Sequence, residues 1–307
     1  MGSYTANIGN TQNNGIEISL NGTIIETRDW KWDAGINIYA NRNKLVSLAS
    51  GQNEDRDNRW FVGMPINCLY DYEYDGLWQK GDEKLMAILE PDATPGDIKV
   101  KYHGDYGTDG MPVRAINSND MVPINADPKF LGGFNTRLQY KGWDLTVLGN
   151  FQAGGILIST IHGSSGYLNM LTGRRGQINV DYWTESNTGA RYPSPGGLVS
   201  GDNPKYGSTL SYFDGSFLKI GTITLGYNFD KLPALKRAGI DRLRVYATAQ
   251  NPFVLFSKFH SESGLDPEPN SRGTENQAAA GYLYRQKVIG TNTPNTRNYL
   301  IGINITF

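Results

Sequence analysis

Tyr70, Tyr72 and Tyr74, with Trp78 four residues further on, place four aromatic rings on one face of an extended segment, because successive side chains of a strand point to opposite sides. Rings set out in this way stack on sugar faces or grip peptide side chains, which makes these four the candidate ligand-binding residues. Packing inside a long loop is the competing account of the same spacing. A second group is acidic. In Asp105-Tyr106-Gly107-Thr108-Asp109-Gly110, followed by Asn119-Asp120, the carboxylates of Asp105, Asp109 and Asp120 are separated by chain-turning residues. Such a pattern can gather oxygen ligands around a hard cation, Ca²⁺ or Mg²⁺. Met111-Pro112-Val113-Arg114 displaces Asp120 from the usual spacing, so a plain acidic turn competes with a cation loop in the 105–120 stretch, and no cofactor is required elsewhere.

Catalytic chemistry finds little support. His103, His162 and His260 lie far apart in loop-like stretches, with no Ser or Cys elbow and no metal-binding His pair, and surface positions are expected for all three. Asp266 and Glu268 in Asp266-Pro267-Glu268-Pro269 can be posed as a glycosidase acid pair, but on a proline-stiffened loop solvated carboxylates are expected instead. Cys68 stands alone in an apolar run, which rules out an internal disulfide and a thiolate metal cluster and leaves a small buried hydrophobe. A formal net charge of -1 supplies no clustered positive field for nucleic acid. The expectation is a protein that is not an enzyme.

The elements that must carry these residues are strands. Hydrophobic residues make up 38% of the 307, and no apolar run approaches the length of a membrane-crossing helix. Seven stretches of about eleven residues alternate apolar and polar side chains, the length a tilted strand needs to cross a bilayer. In the last, Tyr299, Ile301, Ile303, Ile305 and Phe307 form one apolar face that ends on the C-terminal aromatic ring. The others are centred on Ile16–Ile24, Trp30–Ala40, Phe134–Tyr140, Trp143–Gln152, Ile223–Phe229 and Leu243–Gln250, with Leu218 and Ile220 blurring the start of the fifth and Tyr39 breaking the second. Arg242 and Arg244 on a polar face favour a watery lumen over a packed interior.

Connection lengths alternate as well. Thr27-Arg28-Asp29 and Lys141-Gly142 are tight, the link from Asp230 to Ile240 is moderate, and long polar segments cover roughly 41–129, 153–215 and 252–296. Transmembrane barrels of outer membranes have short periplasmic turns and long extracellular loops. Further strands within 41–129 must therefore come in pairs. Trp30, Trp32 and Trp143 lie beside expected periplasmic turns, where a membrane-interface girdle is the favoured role, and Phe307 closes the final strand as an assembly residue. A soluble extracellular glycan-binding β-sandwich with long loops is the alternative, and Ile303→Lys separates the two, since a barrel should fail membrane assembly.

Several ordered segments resemble the C-terminal part of the SusC/RagA family of TonB-dependent outer-membrane transporters. Asn14-Gly15-Ile16-Glu17, Trp32-Asp33, Asn43-Lys44-Leu45-Val46, Val62-Gly63-Met64-Pro65-Ile66, Asp75-Gly76-Leu77-Trp78 and Pro95-Gly96-Asp97-Ile98-Lys99 carry the first half. Gly132-Gly133-Phe134, Tyr182-Trp183, Asp214-Gly215-Ser216-Phe217-Leu218-Lys219, Leu225-Gly226-Tyr227 and Leu243-Arg244-Val245-Tyr246-Ala247-Thr248-Ala249-Gln250-Asn251-Pro252-Phe253 carry the second. The resemblance implies an all-β chain, with residues 1–307 forming about seven to nine strands at the C-terminal end of a 22-stranded antiparallel transmembrane barrel. It implies import of oligosaccharides or peptides across a bacterial outer membrane, a SusD-like surface lipoprotein as lid, and energy from the TonB complex through N-terminal and plug parts with no counterpart in this sequence. Met1-Gly2-Ser3-Tyr4 shows no secretory signal, so residues upstream are expected to be missing. Physical reasoning points the same way: an open sheet of seven strands leaves two edges of unpaired N–H and C=O groups, each costing several kcal/mol in hydrocarbon, so the remainder of the barrel and outer-membrane lipid are required partners.

Overall fold

The computed structural model describes residues 9–49, 51–159, 162, 181–194, 209–229, 232–268, 271–272, 287–289 and 295–307; Met1–Tyr4 lie outside them. Its main element is an antiparallel seven-stranded sheet in which consecutive strands are hydrogen-bonded neighbours. The strands are β1 (Gly9–Glu26), β2 (Trp30–Leu48), β3 (Pro128–Tyr140), β4 (Trp143–Gly154), β5 (Phe217–Asn228), β6 (Arg242–Leu255) and β7 (Asn298–Thr306). β1 and β2, at 18 and 19 residues, run well past the length needed to cross a bilayer. Lys141, with φ 53°, makes the tight β3–β4 hairpin, and the β5–β6 link holds a short helix, Pro233–Arg237, opened by its proline. These short links share one end of the sheet, and the long connections β2–β3, β4–β5 and β6–β7 share the other.

Register turns the alternation of single strands into rows that cross the sheet. Trp30, Tyr140, Trp143, Tyr227, Val245 and Ile303 are successive partners nearest the short links. The next row on that face is Trp32, Leu138, Leu145, Leu225, Ala247 and Ile301. Between them, pointing the opposite way, lies the row of Lys31, Gln139, Asp144, Gly226, Tyr246 and Gly302, and the next row on that polar side is Asp33, Arg137, Thr146, Thr224 and Thr248. The blurred start of β5 has a specific cause. Gly221 is an extra residue relative to β4, the register shifting between Leu148/Thr222 and Gly149/Ile220, so the apolar face moves from odd to even positions. Leu218 and Ile220 thereby stay on the apolar side, where Leu255 and Phe253 of β6 continue their rows. Tyr39 belongs to the polar face, in the row of Leu131.

The apolar rows are not covered. Ile16, Ile18, Leu20, Ile36, Leu225, Ile301 and Ile303 are exposed, Ile301 at 84%. The dry interior lies elsewhere, in the long connections. Leu77, Ile98, Val100, Trp183, Ala190, Tyr192 and Leu210 form one cluster, and Trp78, Met86 and Leu89 another, beside a helix at Glu83–Leu89. Short strand pairs frame them: Leu69–Tyr72 with Met121–Ile124, and Tyr74–Leu77 with Ile98–Val100. Strands within 41–129 do come in pairs, but none of these pairs joins the large sheet. A separate four-stranded sheet orders Tyr212–Asp214, Ile156–Ser159, Lys287–Ile289 and Ser271–Arg272, and its parallel pairing of Ile158 with Val288 gathers residues far apart in sequence.

Candidate functional site

The polar face of the large sheet is built by residues that reach across neighbouring strands. Asp144 on β4 accepts from Arg244 on β6, at 2.9 Å from Nε and 2.6 Å from Nη2. β5 lies between them. The guanidinium passes over Gly226, where a Cβ would sit only 2.5 Å from Nη2, so the glycine of Leu225-Gly226-Tyr227 exists to let this ion pair form. Tyr246 uses the same device over Gly302, and the Arg244 guanidinium carbon lies 4.9 Å from the Tyr246 ring. Two same-face rows further from the short links, beyond the row of Asp33 and Arg137, the surface is neutral: Gly35, Asn135, Leu148, Thr222, Gln250 and Asn298, with Asn298 Nδ2 donating to Gln250 Oε1 at 3.3 Å. This face can hold water and hydrogen-bonding solutes, in contrast to the apolar side.

Where the sheet meets the loop body there is a cleft of about 680 Å³, lined among others by Arg42, Glu73, Asp127, Lys129, Tyr212 and Asp214. Most of its charges are already engaged. Arg42 donates to the carbonyls of Pro128 at 3.2 Å and Lys129 at 2.7 Å, and Glu73 pairs with Lys101 and His103. Burial pushes the Asp127 carboxyl up, partly offset by an Asn67 amide and by the charges of Arg42 and Lys287.

The aromatic stripe divides. Trp78 is fully buried, its Nε1 donating to Glu90 Oε2 at 2.8 Å, so it is a core residue and not a ligand contact. Tyr74 donates its hydroxyl to the Arg191 carbonyl at 2.6 Å and, like Tyr72, packs on the Leu77 cluster. Tyr70 is half-buried, with its ring 4.9 Å from Phe61. Packing therefore accounts for most of the stripe. The expected cation loop is corrected too. Asp120 is buried and receives Arg114 Nη1 at 2.6 Å, Arg114 Nη2 at 3.0 Å and the backbone N–H groups of His103 and Asn117. Asp109 caps the Met111 N–H at 3.0 Å, and among the described residues no three acidic, His or Cys side chains gather as Asp105, Asp109 and Asp120 were expected to. Arg114, inside the insertion that spoiled the spacing, is what supplies the positive charge.

Two further expectations change. His162 is buried among Tyr192, Phe213 and Phe259, with Nδ1 2.7 Å from Ser159 Oγ. Burial and then the Arg191 charge push its pKa down to about 4. Asp266 and Glu268 are not free in solvent: both accept from Lys219 Nζ, at 2.6 and 2.5 Å. Cys68 is buried as expected, and burial pushes its thiol up to about 11. Near the short links the aromatics assemble: Trp30 stacks on Tyr140 at 4.1 Å, Trp143 meets Tyr227 at 4.8 Å, and Tyr227 meets Phe229 at 4.7 Å. Trp32, one row further in, donates to Thr136 Oγ1 at 2.7 Å, and Phe307 is exposed beyond the end of β7. Tyr140, Tyr227 and Phe229 complete this belt, a membership that only register reveals.

No protein-family model matches the chain. The TonB-dependent receptor P3 of Formosa agariphila is 28% identical over 323 aligned residues, covering 99% of this chain and 30% of that protein. The TonB-dependent receptor SusC of Bacteroides thetaiotaomicron is 28% identical over 281 residues, 87% of this chain and 25% of SusC. Among solved structures, the RagAB peptide transporter superposes with a TM-score of 0.67 at 24% identity, over 98% of this chain and 30% of its match. The RagAB importer in its closed-closed state gives 0.66 at 25% identity, with the same coverage. The chain thus spans about 30% of the length of the relatives it matches most fully.

Proposed function

We propose, starting from the premise that this chain belongs to the SusC/RagA family of TonB-dependent receptors, that it forms part of the barrel wall of an outer-membrane nutrient importer. One observation carries the reading: the sheet leaves its apolar rows exposed on one side while charged and amide side chains fill the other. Lipid is the solvent that such an apolar side needs, and a wet lumen suits the polar side. The belt of Trp30, Tyr140, Trp143 and Tyr227 then lies at the periplasmic interface, with Trp32 one row inside and Phe307 at the closing end. The same aromatic ends favour an orientation in which the loop body faces outward.

The exposed edges of β1 and β7 call for the remainder of the barrel, and residues 1–307 act as one segment of it. Bulky nutrients, oligosaccharides or peptides, pass on the polar side, with a SusD-like lipoprotein over the loop body and a plug coupled to TonB supplying the energy. This role requires conformational work and no bond breaking. The soluble sandwich alternative needs the apolar rows to press against a second sheet, whereas the core clusters lie in the connections. Fractionation tests the proposal. The chain, expressed with the rest of its receptor, is expected in the outer-membrane fraction and to need detergent for extraction, and recovery as a monodisperse soluble species would overturn it.

A further inference from the structure

Lys219 sits on the polar face of β5, in the row that continues through Asn150 of β4 and Gly133 of β3 to Asn37 of β2. A lysine lining an aqueous passage normally extends into water. Lys219 does the opposite, with its side chain only 4% exposed and its ammonium clamped between Asp266 and Glu268. Both carboxylates belong to the connection between β6 and β7. That connection is held at further points: Glu268 Oε1 accepts from Asn150 Nδ2 at 2.6 Å, Asp266 Oδ2 accepts from Asn295 Nδ2 at 2.9 Å, and Lys287 Nζ donates to Gln152 Oε1. Pro267, between the two acids, is itself buried.

Asn150, Gln152 and Lys219 all project from the polar side, so Asp266–Glu268 folds down against the inner wall instead of rising from the rim. A peptide segment laid over a sheet occupies about 10 Å of the space in front of it. Two carboxylates this close repel each other unless a cation lies between them, so the inward fold depends on Lys219. We infer that Lys219 is a positioning residue that holds Asp266–Glu268 as a constriction at the outer end of the passage, and so limits the size of ligand admitted. The inference rests on the polar face lining a passage, as proposed above.

Lys219→Met, which keeps the aliphatic stem and removes the charge, tests it in the complete receptor on intact cells. Trypsin added outside is expected to cleave after Arg272 or Lys287 at least about tenfold faster in the variant, because cleavage follows the population of the released segment. The size limit is read separately. Gln250 lies one same-face row nearer the short links, and maleimide-polyethylene glycols of increasing size, added from outside, label the thiol introduced there by Gln250→Cys. Cys68 stays silent because it is buried and its thiol is shifted to about 11. Lys219→Met is expected to admit polymers that the parent excludes, and unchanged size limits or unchanged cleavage overturn the inference. If the variant does not reach the membrane, Asp266→Ala with Glu268→Ala removes the same clamp from the other side, with the same two outcomes expected. Failure of the smallest reagent to label the Gln250→Cys thiol in every background would sink the passage reading itself, whereas labelling with an unchanged size limit sinks only the constriction.

Discussion

The large sheet and the loop body solve the hydrophobic problem in opposite ways. In the sheet the apolar side chains point outward and stay uncovered, and the polar ones pair across strands, as Asp144 does with Arg244 over Gly226. In the loop body the order is that of a water-soluble domain, with Trp78, Phe259 and Val100 inside. Even a fully buried acid such as Asp120 is satisfied there by four donors. One chain therefore meets two solvents, and the boundary runs across the ends of β2, β3, β4 and β5. The same substitution should have opposite consequences on the two sides of it.

The largest effect is expected in the loop body. Trp78→Ala removes a fully buried ring and leaves the Glu90 carboxylate without its Nε1 donor, at a cost of about 3–5 kcal/mol. External protease should cut the loops of this variant while the barrel still inserts; loss of insertion would mean that the two regions are not energetically separate. A depth series along the apolar face comes next. Ile223 pairs with Val147 and Ala249, two same-face rows in from the aromatic belt, so Ile223→Lys should cost about 2–4 kcal/mol and impair assembly. Ile303 lies in the belt row itself, which moves it from the sequence-based choice of decisive test to a mild one, with Ile303→Lys costing about 0–1 kcal/mol. Heat-modifiable mobility of membrane extracts ranks the two variants, and equal behaviour would contradict the assigned depth.

Acid should act on the loop body through Asp120. Burial alone would raise its pKa, but the Arg114 guanidinium and the N–H groups of Asn117 and His103 outweigh that and hold it below the usual carboxylate range. A carboxyl depressed on folding contributes its full stability above the unfolded pKa, about 4, and loses it as pH falls through the folded value. Protease protection of the loops should fall below about pH 4 in the parent. Asp120→Asn should be weaker at neutral pH by about 1.5–3 kcal/mol and show a flatter acid profile. The smallest change is Lys80→Ala, which breaks an exposed 2.9 Å pair with Glu185 and should leave the protease protection of the loops indistinguishable from the parent's.

Much of the wall was legible because a strand writes its environment with period two, and Tyr299, Ile301 and Ile303 can be assigned a face without knowing any neighbour. The failures share a cause. Leu218 and Ile220 misled until the extra residue at Gly221 was placed against β4, since a bulge is a relation between two strands. Trp78 and Asp120 carry no mark separating a ligand contact from a core ring, or a cation ligand from the partner of Arg114. Only the neighbours brought there by folding decide that. Lys219 was part of a quoted motif, yet Asp266 and Glu268 lie 47 and 49 residues away.

The order of amino acids alone dictates the seven wall strands, their two faces and the alternation of short and long links, because each depends on interactions within a strand or between adjacent ones. Which aromatics share a belt, which acids are neutralised and where a connection folds inward were set only when the chain closed on itself. Those outcomes depend on register and on contacts between distant segments, and a side-chain alternation that repeats every two residues contains no information about either.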